Sequence, residues 1–135
     1  MKNLTWLKIG GAALLVHIVL ISLSILEVFV YSTLVNKGQT QAVYEKHAEL
    51  TAPYIATIAG CILMYFFVTR FTKNKAINPW LPGLGLPAIY IIIDFVLLQS
   101  TSPGWTKQLP TILGSNFLKS MAAVLAAYRS KQQIK

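Results

Sequence analysis

The sequence predicts an all-α membrane protein: a bundle of four transmembrane helices with an irregular, Pro/Gly-rich entrance to the third. Three observations predict it. Hydrophobic residues make up 55% of the 135-residue chain and charged residues only 12%, where a soluble domain carries about 25% charged residues. Apolar runs at 9–34, 52–71, 80–98 and 109–128 each approach or exceed the ~20 residues that a helix needs to cross a bilayer. The polar linkers between them leave no room for a soluble domain, so 1–135 reads as one integral membrane domain without internal repeat or low-complexity segment.

The first run follows "MKNLTWLK" and resembles the start of a signal peptide. A signal h-region covers only about 7–15 residues and ends at a small-residue cleavage site, whereas this run continues past Val30 without an A-x-A. It is therefore kept as a span. Asn36-Lys37-Gly38 marks its end, with Gly38 suited to the left-handed conformation beyond a helix terminus. Thr51 can cap the second helix, with Pro53 in its first turn. Between them "QTQAVYEKHAEL" forms a short outer helix or an extension of the second span, and Glu45, His47 and Glu49 there read as solvated surface rather than a metal site.

The third run opens with "NPWLPGLGLP". Pro79, Pro82, Gly83, Gly85 and Pro87 are expected to break or delay the helix until about Pro87. Such a segment either lines a protected cavity at membrane depth or lies at the interface with Trp80 as an anchor. The fourth run ends in Ala122, Ala123, Ala126 and Ala127, a small-residue ridge like Ala52, Ala56 and Gly60 in the second.

Basic residues orient the chain. With the N-terminus inside, Lys2, Lys8, Arg70, Lys73, Lys75, Arg129, Lys131 and Lys135 fall on the cytoplasmic side, and only Lys37, Lys46 and Lys107 outside. Both termini are expected in the cytoplasm, in a plasma or bacterial inner membrane. The net charge of +8 is scattered over span ends, where topology and lipid headgroups account for it, so no nucleic-acid partner is expected. Cys61 alone supports neither a disulfide nor a redox pair. No cofactor or metal motif occurs.

At 100° per residue each span has one polar stripe. His17, Ser24, Glu27 and Tyr31 share one; Tyr54, Thr57, Cys61 and Tyr65 form the second; Tyr90 and Asp94 lie in the third; Thr111, Ser115 and Lys119 in the fourth. Lipid penalises polar side chains, so all four stripes are expected to face the bundle axis and enclose a polar cavity. The candidate cavity residues are His17, Ser24, Glu27, Tyr31, Thr57, Tyr65, Tyr90, Asp94, Ser115 and Lys119. Helix rise places Glu27, Thr57, Asp94 and Thr111 in an outer tier, and His17, Tyr65 and Lys119 in an inner one, with Lys119 about 8 Å deeper than Asp94.

Each group also has a structural reading. Asp94 and Lys119 can be an ion pair that fixes helix register. Glu27, with no lysine or arginine at its depth, either exchanges a proton or hydrogen-bonds Tyr31 or a neighbouring helix. His17 can be a helix contact, and Cys61 simple packing. Chain size, span count and a glutamate in the first helix resemble the small multidrug transporters, but Lys119 in the fourth span and the broken third entrance depart from that pattern, and nothing is carried over. Three function classes stay open: a proton- or cation-linked transporter or ligand-binding protein for a small molecule or cation; an accessory subunit that assembles with itself or a larger membrane complex; and a small intramembrane enzyme, for which Ser115 with Lys119 or the Glu27, Asp94 and His17 set would supply the chemistry.

Overall fold

The computed structural model describes residues 2–73, 77–101 and 105–133. Lys75 and Lys135, counted above among the cytoplasmic charges, lie outside the described residues. Four helices are long and apolar enough to cross a membrane: α1 (Lys2–Val30), α2 (Gln41–Thr72), α3 (Trp80–Thr101) and α4 (Leu109–Gln132). Among the described residues there is no strand.

α1 ends in a π-helical turn, Tyr31–Val35, where the Asn36 N–H donates to the Tyr31 carbonyl at 2.8 Å. Gly38 then takes φ +73°, a conformation in which any Cβ would crowd the following carbonyl. The stretch after it extends the second span: α2 begins at Gln41, with Thr40 at its N-cap position, so Thr51 and Pro53 lie inside the helix instead of opening it. Pro53 lacks the N–H that would bond the carbonyl four residues earlier, while the Thr57 hydroxyl donates to the Pro53 carbonyl at 2.7 Å.

α3 corrects the expected break. It is helical from Trp80, because the Asn78 side chain accepts the Trp80 N–H at 3.1 Å and its carbonyl the Leu81 N–H at 3.0 Å. Pro79 therefore lies just before the helix and Pro82 in its first turn, where a missing N–H costs little. The glycines serve packing. A Cβ on Gly83 would stand 2.5 Å from the Ala127 Cβ, and one on Gly85 would stand 3.0 Å from Trp6 Cζ3.

Cross-helix contacts fix the register. His17 meets Asp94 and Tyr90, Thr57 meets Ser115, Asp94 meets Asn116, and Thr72 meets Ser130. These pairings make α1 parallel to α3 and α2 parallel to α4, an up-down-up-down bundle with α1 and α4 each packed on α2 and α3. Buried apolar side chains gather toward one end: Ile9, Ala13, Val16 and Leu20 of α1, Met64 and Val68 of α2, Leu86 of α3, and Ala123, Ala126 and Ala127 of α4. This is the inner half in the orientation expected from the charges. Large apolar side chains such as Ile18, Ile25, Ile62, Phe66 and Ile92 stand exposed on the outside of the bundle. The outer half is more open, and the candidate site lies there.

Candidate functional site

A cleft of about 660 Å³ lies between the outer halves of α2, α3 and α4, within the 300–1,000 Å³ range of small-molecule pockets. Ala48, Glu49 and Gln108 stand at its mouth; Thr111, Ser115 and Ala56 line its walls; Tyr90, Asp94, Asn116 and Lys119 form its floor. The small residues Ala52 and Ala56 of α2 provide the width. Gly60, one turn below, makes room for the lysine: a Cβ there would lie 2.7 Å from Lys119 Cε.

The floor is a connected polar network. Lys119, 3% exposed, donates from Nζ to the Tyr90 hydroxyl at 2.9 Å and to Asn116 Oδ1 at 3.3 Å, and sits 4.6 Å from the Tyr90 ring centroid. Asn116 Nδ2 donates to Asp94 Oδ2 at 2.9 Å. The acid and the ammonium, for which a direct ion pair is one of two readings of the sequence, are thus joined through an amide, which accepts from the ammonium and donates to the acid. No ion pair links Asp94 to Lys119 among the described residues. Asp94 keeps 22% of its side chain exposed, and the cleft is where that exposure lies.

His17 closes the network from behind. Its ring stacks on Tyr90 at 4.0 Å between centroids. Nδ1 lies 3.0 Å from the Ala13 carbonyl, an acceptor only, so Nδ1 carries a hydrogen. In the neutral ring Nε2 would then present a lone pair. That atom is buried without a hydrogen-bond partner and lies 3.8 Å from Asp94 Oδ1. Two acceptors facing each other out of water are unfavourable. One proton placed at either atom, as imidazolium or as carboxylic acid, resolves the conflict.

Glu27 belongs to a different cluster, at the outer end. His47 Nε2 donates to Glu27 Oε1 at 2.6 Å, and the Thr51 hydroxyl donates to Oε2 at 3.0 Å. The His47 ring stacks on Tyr31 at 3.5 Å, and Tyr31 meets Tyr44 edge-on. Tyr44 in turn donates to the Asn36 carbonyl at 2.8 Å, and Asn36 Nδ2 donates to the Tyr31 hydroxyl at 3.1 Å. Glu27 thus has two partners on the neighbouring helix, neither of them a lysine or arginine, because the α2 extension turns His47 inward over the end of α1. No hydrogen bond or ion pair joins this cluster to Asp94 among the described residues.

The remaining candidates divide. Tyr90, Asp94, Ser115 and Lys119 line the cleft, and Thr57 supports its wall through the 2.8 Å bond between its hydroxyl and that of Ser115. With Ser115 so paired and Lys119 directed at Tyr90 and Asn116, the two do not form a nucleophile pair. Ser24 is half-buried in α1 between the clusters and joins neither. The α2 stripe expected inside splits: Tyr54 is 71% exposed, and Cys61 and Tyr65 line an outward groove, because Gly60, Met64, Val68 and Thr72 take the interior face. His17 lies at the level of Asp94 rather than deeper, since α1 and α3 are offset along the bundle. Asn116 and His47 were not among the candidates. An amide three residues before Lys119 on its face signalled the first; the second was signalled only by its spacing within the α2 extension. Among the described residues no three His, Cys, Asp or Glu side chains converge as a metal site.

No family model, curated protein or solved structure matches the chain.

Proposed function

We propose that this is a four-span integral membrane protein, with both termini cytoplasmic, that binds a small polar molecule or cation in the outer-half cleft and links its passage to a proton. The observation that carries the reading is the His17–Asp94 juxtaposition at the cleft floor: Nε2, buried without a hydrogen-bond partner, lies 3.8 Å from Oδ1, so that one proton at either atom relieves the contact, and Asp94 also faces the cleft. A cation or ligand ammonium at Asp94 competes with that proton. Lys119 and Asn116 beside it supply donors for an anionic or carbonyl group of the same ligand. Ionisable side chains at this depth are costly to keep unless they work.

The four-span reading rests on length and apolarity of the helices and on charge. Lys8, Arg70, Lys73, Arg129 and Lys131 stand at one end of the bundle and Lys37, Lys46 and Lys107 at the other, the asymmetry that sets orientation.

Carboxyl infrared titration of purified protein tests the assignment, with Asp94→Asn and His17→Gln as references and sodium, potassium or glycine as probes. A carboxyl signal lost in Asp94→Asn that changes with pH and responds to one of the probes supports the reading. A signal unresponsive to pH and to every probe, in variants that keep stability and oligomeric state, would overturn it in favour of an assembly subunit.

A further inference from the structure

A second cavity, about 560 Å³, runs along the outside of the bundle between α2 and α4, over its inner half. Its walls are apolar: Ile62 and Phe66 of α2 and Leu125 of α4 are each more than half exposed, and Ala122 leaves the space between the helices open. Its lower end is cationic. Arg70 and Lys73 line it, both exposed and neither paired with a carboxylate among the described residues. Tyr65, also on the wall, accepts a hydrogen bond from Arg129 Nη1 at 3.1 Å and so brings a third cation alongside.

We infer that this groove is a binding site for an anionic phospholipid of the cytoplasmic leaflet, with one acyl chain between α2 and α4 and the phosphate on Arg70 and Lys73. The inference rests on the four-span reading above. Cys61 to Lys73 is twelve residues, ~18 Å of helix at 1.5 Å per residue, close to the ~15 Å depth of one leaflet's hydrocarbon. The groove thus reaches from mid-bilayer to the headgroups. Arginine offers a phosphate a planar fork of donors and lysine a point charge. A zwitterionic headgroup brings its own cation to the phosphate and gains less from them.

The test uses the full chain in phosphatidylcholine vesicles doped with phosphatidylglycerol or phosphatidylcholine carrying a diazirine in the acyl chain, with crosslinked residues mapped by mass spectrometry. Phosphatidylglycerol adducts on the groove faces of α2 and α4 should exceed phosphatidylcholine adducts by at least about fivefold, the equivalent of about 1 kcal/mol for one cation near the surface. Arg70→Gln with Lys73→Gln should bring the two probes to parity, and Ala122→Phe, which fills the groove and keeps the charges, should do the same. Equal labelling of wild type by both probes would overturn the site. An excess that survives Ala122→Phe would also overturn it, reducing the groove to surface charge. If neither probe labelled the outward faces of any helix, Ile18, Ile25 and Ile92 included, the four-span reading itself would fall.

Discussion

The contact between Gly83 and Ala127 gives the sharpest test of the fold that positions the cleft. A Cβ added at Gly83 would lie 2.5 Å from the Ala127 Cβ, with the Ala123 carbonyl at 3.6 Å and the Ala127 Cα at 3.9 Å. Carbon atoms prefer ~3.5–4.0 Å, so α3 and α4 would have to part by about 1 Å, and neither partner is a flexible side chain that could swing aside. Overpacking of this kind costs about 1–3 kcal/mol, and backbone-borne atoms put it at the upper end. Alanine returns about 1 kcal/mol of helix propensity. Gly83→Ala should therefore destabilise by about 2 kcal/mol in denaturant unfolding of detergent-solubilised protein followed by circular dichroism. The reciprocal pair, Gly83→Ala with Ala127→Gly, moves one methyl across the same contact and should recover to within about 1 kcal/mol of wild type. A Gly83→Ala protein as stable as wild type, with a cycle additive within about 0.5 kcal/mol, would refute the close approach and with it the placement of α4 that brings Lys119 to the cleft floor.

Three further expectations concern the two polar clusters and the topology. Glu27→Ala should lose about 2 kcal/mol by leaving the His47 ring nitrogen unpaired; Glu27→Gln, which keeps an acceptor for His47, should retain the probe response of the Asp94 carboxyl in the infrared titration. Asn116→Leu should lose about 3 kcal/mol in the same unfolding assay, because one half-buried carboxylate and one buried ammonium each lose a bond. In a Cys61→Ser background, Lys37→Cys and Lys131→Cys should react with a membrane-impermeant maleimide from opposite sides of oriented vesicles; labelling from the same side would exclude an odd number of spans between α1 and the end of α4.

Much of this architecture was legible because its causes are local. Hydropathy alone locates the four helices, and the Gly38 turn follows from one residue's conformational freedom. The α3 entrance was misread because proline and glycine carry two meanings. As local signals Pro79, Pro82, Gly83 and Gly85 break helices, but Asn78 caps the chain just before them, and the glycines answer to Ala127 and Trp6, which are 44 and 79 residues away in sequence (127 − 83 and 85 − 6). The polar stripes were half legible for the same reason. Periodicity shows which residues share a face, not which face turns inward, and in α2 the ridge Ala52, Ala56 and Gly60 won the interior because Lys119 needs the room. Depth counted from span ends misplaced His17, since it cannot register how far α1 is shifted along α3. Glu27 and His47, 20 residues apart, meet only because α2 starts well before the apolar run does.

Tyr90 is where these constraints join. Its ring stacks on His17 and lies under the Lys119 ammonium, and its hydroxyl accepts from that ammonium. A proton on His17 therefore puts a second cation against the same ring, on the opposite partner from Lys119, and Asp94 is the one carboxylate at the floor to balance both. Under the proposed function this makes exchange intrinsic to the site. When a ligand cation occupies Asp94, the compensating charge for imidazolium is taken, and the proton is the cheapest charge to release, because Lys119 is held by two hydrogen bonds and its stem by Gly60. When the ligand leaves, the lone pair of Nε2 again faces an unneutralised carboxylate, and a proton must return. Under the same proposal Asn116, which stands between Asp94 and Lys119, would stop the fixed lysine from collapsing onto the acid and sealing the cleft floor as a permanent ion pair.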